Sequence, residues 1–272
     1  MSDRNVSVYF RTPPIPLDDT DLDTLKPRQW LNDAVIDVCL YTHAVGRSDD
    51  GIQLHVVSST FYKKLNEAFK RPLYCNVPQY INRDLQTINY LPVHAWYPDF
   101  FGREFHLCPI RVDGNHWLLA VICVGDVTSL NDEIVKPADG GTCCDKSAIL
   151  VFDSLSNGDS QRSCCAQLRA FLNCEWYFHC KRARGMRDRV FDETNCPVIR
   201  MDVEQQSNQF DCGLYVIRAA EVFMQRVADV KKFFTADAYD VRELASMFAV
   251  DINIAGTDYR ERLRGKLNST ST

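Results

Sequence analysis

The sequence predicts a single α+β domain. Three short apolar runs, 105–112, 116–124 and 148–154, have the length and composition of buried strands. Segments with apolar residues at helical spacing flank this central group of strands, an arrangement that one sheet covered by helices satisfies. The chain of 272 residues, 46% hydrophobic and 25% charged, is long enough and apolar enough to bury a real core.

Residues 1–20 are rich in Pro and Asp and read as an extended arm. Leu31, Val35, Val38 and Cys39 then fall on one side of a helix over 31–45, with Trp30 just before it. Phe61, Leu65 and Phe69 predict a second helix. The strands at 105–112 and 116–124 are joined by the turn-like Asp113-Gly114-Asn115. Residues 125–146 hold Pro137, Gly140-Gly141 and five acidic residues without periodicity, so they read as a surface insertion between two strands. After the strand at 148–154, Leu168, Phe171 and Leu172 predict a helix over 162–173, and strands are expected at 175–180 and 198–203. Leu214, Ile217, Glu221, Met224 and Val227 trace a long helix from about Cys212, and a last helix covers 241–252. Asn268 to Thr272 read as a flexible tail.

Composition excludes several classes. The net charge of −5 and the pI near 5.7 argue against nucleic acid as the main partner. No run approaches the roughly 18 apolar residues of a membrane span. Met1-Ser2-Asp3-Arg4 opens without the apolar stretch of a secretory signal, so an intracellular setting is expected. The twelve cysteines then read as reduced thiols. The pairs Cys143-Cys144 and Cys164-Cys165, with Cys174 and Cys180, do not match the spacing of structural zinc ligands, so no metal and no cofactor are expected. Lys181, Arg182, Arg184, Arg187 and Arg189 form a short basic run that reads as a solvated face.

The sharpest chemical feature is Gln205 through Tyr215, where a polar, turn-forming segment gives way to a helical pattern at Cys212. A sulfur at a helix start faces unpaired N–H groups and the positive end of the dipole, which favour an anion there. Gly213 lets a substrate or a backbone approach closely. Taken alone, a cysteine is more often a buried core residue. A cysteine nucleophile needs a base, and the base needs an orienting group. Among six histidines, His116 begins a strand after a turn, where it can point from the sheet edge into a cleft. Asp153 ends the apolar run Ile149-Leu150-Val151-Phe152, an unusual place for an acid without a partner. Each also has a plain structural reading, a satisfied histidine and a turn aspartate.

With His116, Asp153 and Cys212 in that order, the chain resembles the Ulp/SENP cysteine proteases, which cut SUMO and related modifiers. The resemblance runs from about Leu25 to about Arg264. It rests on Trp30-Leu31-Asn32-Asp33, Asn115-His116-Trp117, Phe152-Asp153-Ser154 and Gln206 through Gly213. It implies a papain-like catalytic domain over 21–267, with Cys212 as nucleophile, His116 as base and later acid, and Asp153 orienting the imidazole. Gln206 matches the side chain that donates to the oxyanion. Trp30 and Trp117 match an aromatic pair that sandwiches the Gly-Gly tail of the modifier, and Asp33 matches a residue facing a basic site on it. Core packing is the plainer reading of both tryptophans, and helix capping that of Asn32 and Asp33.

The insertion at 125–146 and the wording of both strands resemble the branch that trims poly-SUMO chains. The implied partners are SUMO, its conjugates and poly-SUMO chains, acted on by a monomeric enzyme with a nuclear address. The same motifs leave open a protease for another ubiquitin-like modifier of the Nedd type, or a catalytically silent SUMO-binding module.

Overall fold

The structure is a computed structural model. It describes residues 17–45, 52, 54–68, 100–112, 114–124, 147–155, 158–178, 189–236, 239–252, 254 and 258–270. Five strands form one sheet in sequence order: β1 (Leu54–Val56), β2 (Phe105–Val112), β3 (His116–Cys123), β4 (Ala148–Phe152) and β5 (Val198–Arg200). The inner pairs, β2 with β3 and β3 with β4, are antiparallel, and the outer pairs are parallel. Gly114 closes the β2–β3 turn with φ +82°, a backbone conformation that side chains with a Cβ resist.

β3 is the spine of the fold. Its apolar run is buried on both faces, which is why it reads as continuous rather than alternating. The period-2 alternation nevertheless sorts its residues. Trp117, Leu119, Val121 and Cys123 join one core cluster; Leu118, Ala120 and Ile122 join the other. Helices α2 (Asp33–Val45) and α5 (Cys212–Thr235) cover the first face. Helices α3 (Thr60–Ala68) and α4 (Gly158–Glu175) cover the second. His55 and His106 face each other across β1 and β2, Nδ1 to Nδ1 at 2.9 Å, with Phe100 stacked on His106. Burial holds the His106 imidazole well below its ordinary pKa, so that ring is neutral.

The α+β expectation holds, and the strands at 105–112, 116–124 and 148–154 stand within a residue or two of their expected bounds. The strand expected over 198–203 ends at Arg200, and four further local expectations change. Residues 175–178, expected as a strand, continue α4 as a helical turn. Trp176 is buried there against Phe101 and Phe191, at ring separations of 5.2 and 6.2 Å, and this packing overrides the β propensity of its aromatic neighbours. The helix expected over 241–252 stops early, as α6 (Val241–Ser246), and turns follow it. The final helix α7 (Tyr259–Thr270) was not expected, and it takes residues 268–270 out of the expected tail. Tyr259, Leu263 and Leu267 are all buried, so one apolar stripe four residues apart anchors it. At the other end, Asp18 and Asp21 form a reciprocal capping box that starts α1 (Asp19–Asp23), so the extended arm cannot reach residue 20. Residues 1–16, 125–146 and 181–188 lie outside the described residues, and with them most of the arm, the insertion and all of the basic run except Arg189. No helix among the described residues is long and apolar enough to cross a membrane.

Candidate active site

Three elements bring the candidate residues together. His116 opens β3, Asp153 follows β4, and Cys212 is the first residue of α5. Because β3 and β4 are antiparallel neighbours, with Leu119 opposite Phe152, the start of one lies beside the end of the other. His116 and Asp153, 37 residues apart in sequence, therefore meet: His116 Nε2 lies 2.8 Å from Asp153 Oδ1. The long apolar helix α5 packs against β3 and carries Cys212 to the same corner. The Cys212 thiol, 1% exposed, points at the backbone carbonyl of Asn115 at 3.7 Å, the residue just before His116.

Asp153 is buried and fully used. Oδ1 also accepts the backbone N–H of Leu155 at 2.9 Å, and Oδ2 accepts from the side-chain amide of Gln161 on α4. These bonds answer the cost of burying an acid and fix the carboxylate plane, and through it the imidazole. Burial pulls the His116 pKa down. The hydrogen bond that the ring donates to Asp153 and the adjacent Cys212 sulfur pull it up more, and the ring ends at about 9. Asp153 holds Nε2, and the other ring nitrogen, Nδ1, is buried with no hydrogen bond of normal geometry. The ring is thus poised to exchange a proton with the sulfur.

The raised imidazole pKa has a consequence for stability. The folded chain keeps a proton on His116 that the unfolded chain releases above its ordinary value of 6.5. The stabilisation from this pair is complete below pH 6.5 and is lost as pH rises through about 9. Thermal melts of the protein and of a His116→Gln variant should therefore converge between pH 6.5 and 9.5. A difference that stays constant over that window would reject the assignment.

Gln206 lies close by and is 8% exposed. Its backbone N–H donates to the Ser154 carbonyl at 2.9 Å, which ties it to the residue after Asp153. Its Oε1 accepts from the Ser154 hydroxyl at 2.7 Å, and its Nε2 donates to the Asn208 carbonyl at 2.6 Å. The amide is held in one orientation, with one N–H still uncommitted among the described contacts.

The expected binding residues divide. Trp30 is 45% exposed, and its indole N–H donates to the Gln209 carbonyl at 2.7 Å, so it stands at the mouth of the site. Asp33 is exposed at the first position of α2, with Asn32 before it accepting the Val35 N–H as the cap. Trp117 sits deeper than Trp30. It is 1% exposed, its N–H donates to the Leu31 carbonyl at 3.1 Å, and it packs in the core beneath the site. Strand alternation turns Trp117 inward, beneath the site. Gly213 also has a close neighbour inside the fold. The close approach it permits is by the Leu31 side chain, since a Cβ there would meet Leu31 Cβ at 3.0 Å. The sequence reading missed Leu31, which joins Trp117 to Gly213, and also Gln161, Ser154 and Asn208, whose roles depend on partners that the fold supplies. Among the described residues no cluster of three or more His, Cys, Asp or Glu side chains could hold a metal.

The two tryptophans separate experimentally. Trp117→Ala should cost about 3–5 kcal/mol of stability, the usual range for emptying a buried aromatic site. Trp30→Ala should change stability by less than about 1 kcal/mol and act on substrate processing instead. Chemical denaturation of both variants checks this; equal losses would mean that Trp30 is also a core residue.

Comparison with known proteins finds similarity over most of the chain. A model of the Ulp1 protease family, C-terminal catalytic domain, matches residues 29–258. Sentrin-specific protease 7 of Rattus norvegicus is 25% identical over 75% of this chain and 23% of its own length. Ubiquitin-like-specific protease 2 of Schizosaccharomyces pombe is 26% identical over 80% of this chain and 34% of its own. The chain thus spans between about a fifth and a third of the length of such curated relatives. A solved de-sumoylating protease shares the fold, with a TM-score of 0.63 and 20% identity over 94% of this chain and 86% of that one.

Proposed function

Since this chain belongs to the Ulp1 protease family, we propose that it is a thiol isopeptidase that cleaves SUMO-type modifiers after their C-terminal Gly-Gly. The observation that carries this reading is the convergence of His116, Asp153 and Cys212, with the His116–Asp153 bond at 2.8 Å and the sulfur at the first residue of α5. In the proposed reaction the proton shared by Cys212 and His116 resides on the imidazole, and the sulfur attacks the carbonyl of the terminal glycine. The charge that develops on that oxygen meets the backbone N–H of Cys212 and the side-chain amide of Gln206. His116 then protonates the leaving amine, and water, with His116 as base, releases the modifier from the thioester. A thiol as enclosed as Cys212 admits only a slim chain, a requirement that a glycine tail meets. Asp33, exposed at the head of α2, suits a basic site on the modifier.

The test is a panel of modifiers carrying a C-terminal propargyl or vinyl-sulfone group. SUMO should form a covalent adduct that Cys212→Ala abolishes. An adduct with Nedd-type modifiers alone would replace the substrate class. SUMO binding without any adduct would make the chain a silent binding module.

Trimming of poly-SUMO chains is the finer part of the proposal and rests on the long connection between β3 and β4. Replacing 125–146 by a short Gly-Ser bridge changes closure entropy by only about 0.6 kcal/mol per doubling of loop length. The deletion should slow poly-SUMO cleavage more than cleavage of a single-modifier substrate, and equal rates for both would remove this part. A nuclear setting and a monomeric state belong to the same proposal.

A further inference from the structure

Arg260 lies on α7, two residues beyond the segment that the family model matches. Its guanidinium reaches three acceptors. Nη2 donates to Asp211 Oδ1 at 2.5 Å, and Nη1 donates to the carbonyls of Thr24 and Lys26 at 2.9 and 3.1 Å. The pair is largely enclosed, with side chains 13% and 22% exposed. Asp211 is the residue before Cys212 and the N-cap of α5.

An N-cap aspartate ordinarily turns its carboxylate onto the N–H groups of the first helical turn. Asp211 makes no such side-chain bond. Its Oδ1 is taken by Arg260, and its Oδ2 accepts from Asn208 Nδ2 at 2.8 Å. Asn208 is held in turn, because its Oδ1 accepts the N–H groups of Phe210 and Asp211, both at 3.0 Å, and its carbonyl accepts from Gln206. One run of direct bonds therefore leads from α7 to the amide of Gln206. The planar fork of arginine suits it to such a task, since a single ammonium cannot span a carboxylate and two carbonyls in fixed directions.

We infer that Arg260 is a positioning residue that holds the Asp211 carboxylate off the amino end of α5, keeping that end open for the charge that develops on the substrate oxygen. Without Arg260 the carboxylate swings onto the free N–H groups and places a negative charge beside Cys212, where the reaction itself must place one. This inference rests on the isopeptidase reading for its kinetic consequence but not for its geometry.

The test uses Arg260→Met, Asp211→Asn and the double variant in the full chain. With a fluorogenic SUMO substrate, Arg260→Met should lower kcat by about 10- to 100-fold, the scale of loss expected when a reacting group is displaced by about 1 Å, while KM stays within about twofold. The double variant should recover at least a third of the lost activity on a logarithmic scale, because the amide carries no charge to obstruct the helix end. A merely structural clamp would not be relieved by a second substitution. Arg262→Met, which removes an exposed pair with Asp258 on the same helix, should leave all rates unchanged. If Arg260→Met does not fold, Arg260→Gln keeps a donor for the carbonyls, drops the charge and takes its place. A second readout is independent of turnover: alkylation of Cys212 by iodoacetamide, followed on its own peptide across pH 6–9. It should slow in Arg260→Met and recover in the double variant. A kcat within twofold of the unmodified protein, or a double variant as slow as Arg260→Met in both readouts, overturns the inference. Absence of turnover in the unmodified protein would instead reject the isopeptidase reading, and alkylation would still decide the role of Arg260.

Discussion

Cys212→Ala should abolish cleavage of a Gly-Gly conjugate while leaving modifier binding intact. In the proposed reaction the sulfur supplies the bond-forming atom, and no other described cysteine lies at a helix start beside an imidazole. Cys39, Cys108, Cys174 and Cys196 are all buried, and burial raises the pKa of each, so none is a candidate substitute. Loss of a covalent nucleophile removes a rate factor on the order of 10⁴ or more. Binding should survive, because the contacts expected with the modifier at Trp30 and Asp33 do not use the sulfur. Steady-state turnover and a binding isotherm with the intact modifier check both halves. Residual turnover above about one part in 10³ would require another nucleophile, and loss of binding would mean that Cys212 also shapes the slot.

The second large effect is expected at Gln206. Gln206→Ala should lower kcat by about 10²–10³-fold, the usual cost of one oxyanion donor, with a smaller change in KM. The reason lies in timing, since the N–H acts on charge that exists only in the transition state. The structure adds a complication that the kinetics can separate. Gln206 also holds the Ser154 hydroxyl and the Asn208 carbonyl, so alanine leaves two polar groups without their partner. Gln206→Glu keeps an acceptor for Ser154 but removes the donor. It should lose kcat at least as much as alanine while retaining more of the thermal stability. Unchanged kcat with a raised KM in both variants would move Gln206 from the transition state to ground-state binding.

Much of this site was legible as one-dimensional pattern. The unbroken apolar run of β3 marked a strand buried on both faces. The polar segment ending at Cys212 marked a helix start, and an acid closing an apolar strand marked Asp153 as unusual. These are local signals, each made by a few neighbouring residues. The strand 175–180 failed for the opposite reason. Its aromatics favour a strand in isolation, and only the contact of Trp176 with Phe101 and Phe191 makes a continued helix better. Trp117 is an intermediate case. Alternation along β3 predicts that it faces away from Leu118, but its burial depends on α2 and α5, which arrive from distant parts of the chain.

By itself, then, the sequence determined the α+β class and the central strands, and it marked His116, Asp153, Gln206 and Cys212 as candidates in that order along the chain. It could do so because periodicity and helix starts are encoded within a turn or two of chain, and because the motifs are short. Only the tertiary structure decided that Nε2 of His116 meets Asp153, that Gln161 locks the carboxylate, that Trp117 is core, and that Gly213 makes room for Leu31. It alone brings Arg260 to Asp211 across 49 residues. A hydrogen bond needs its partners within about 3 Å, and for residues so far apart in sequence that proximity comes from the packing of sheet and helices, which no local pattern records.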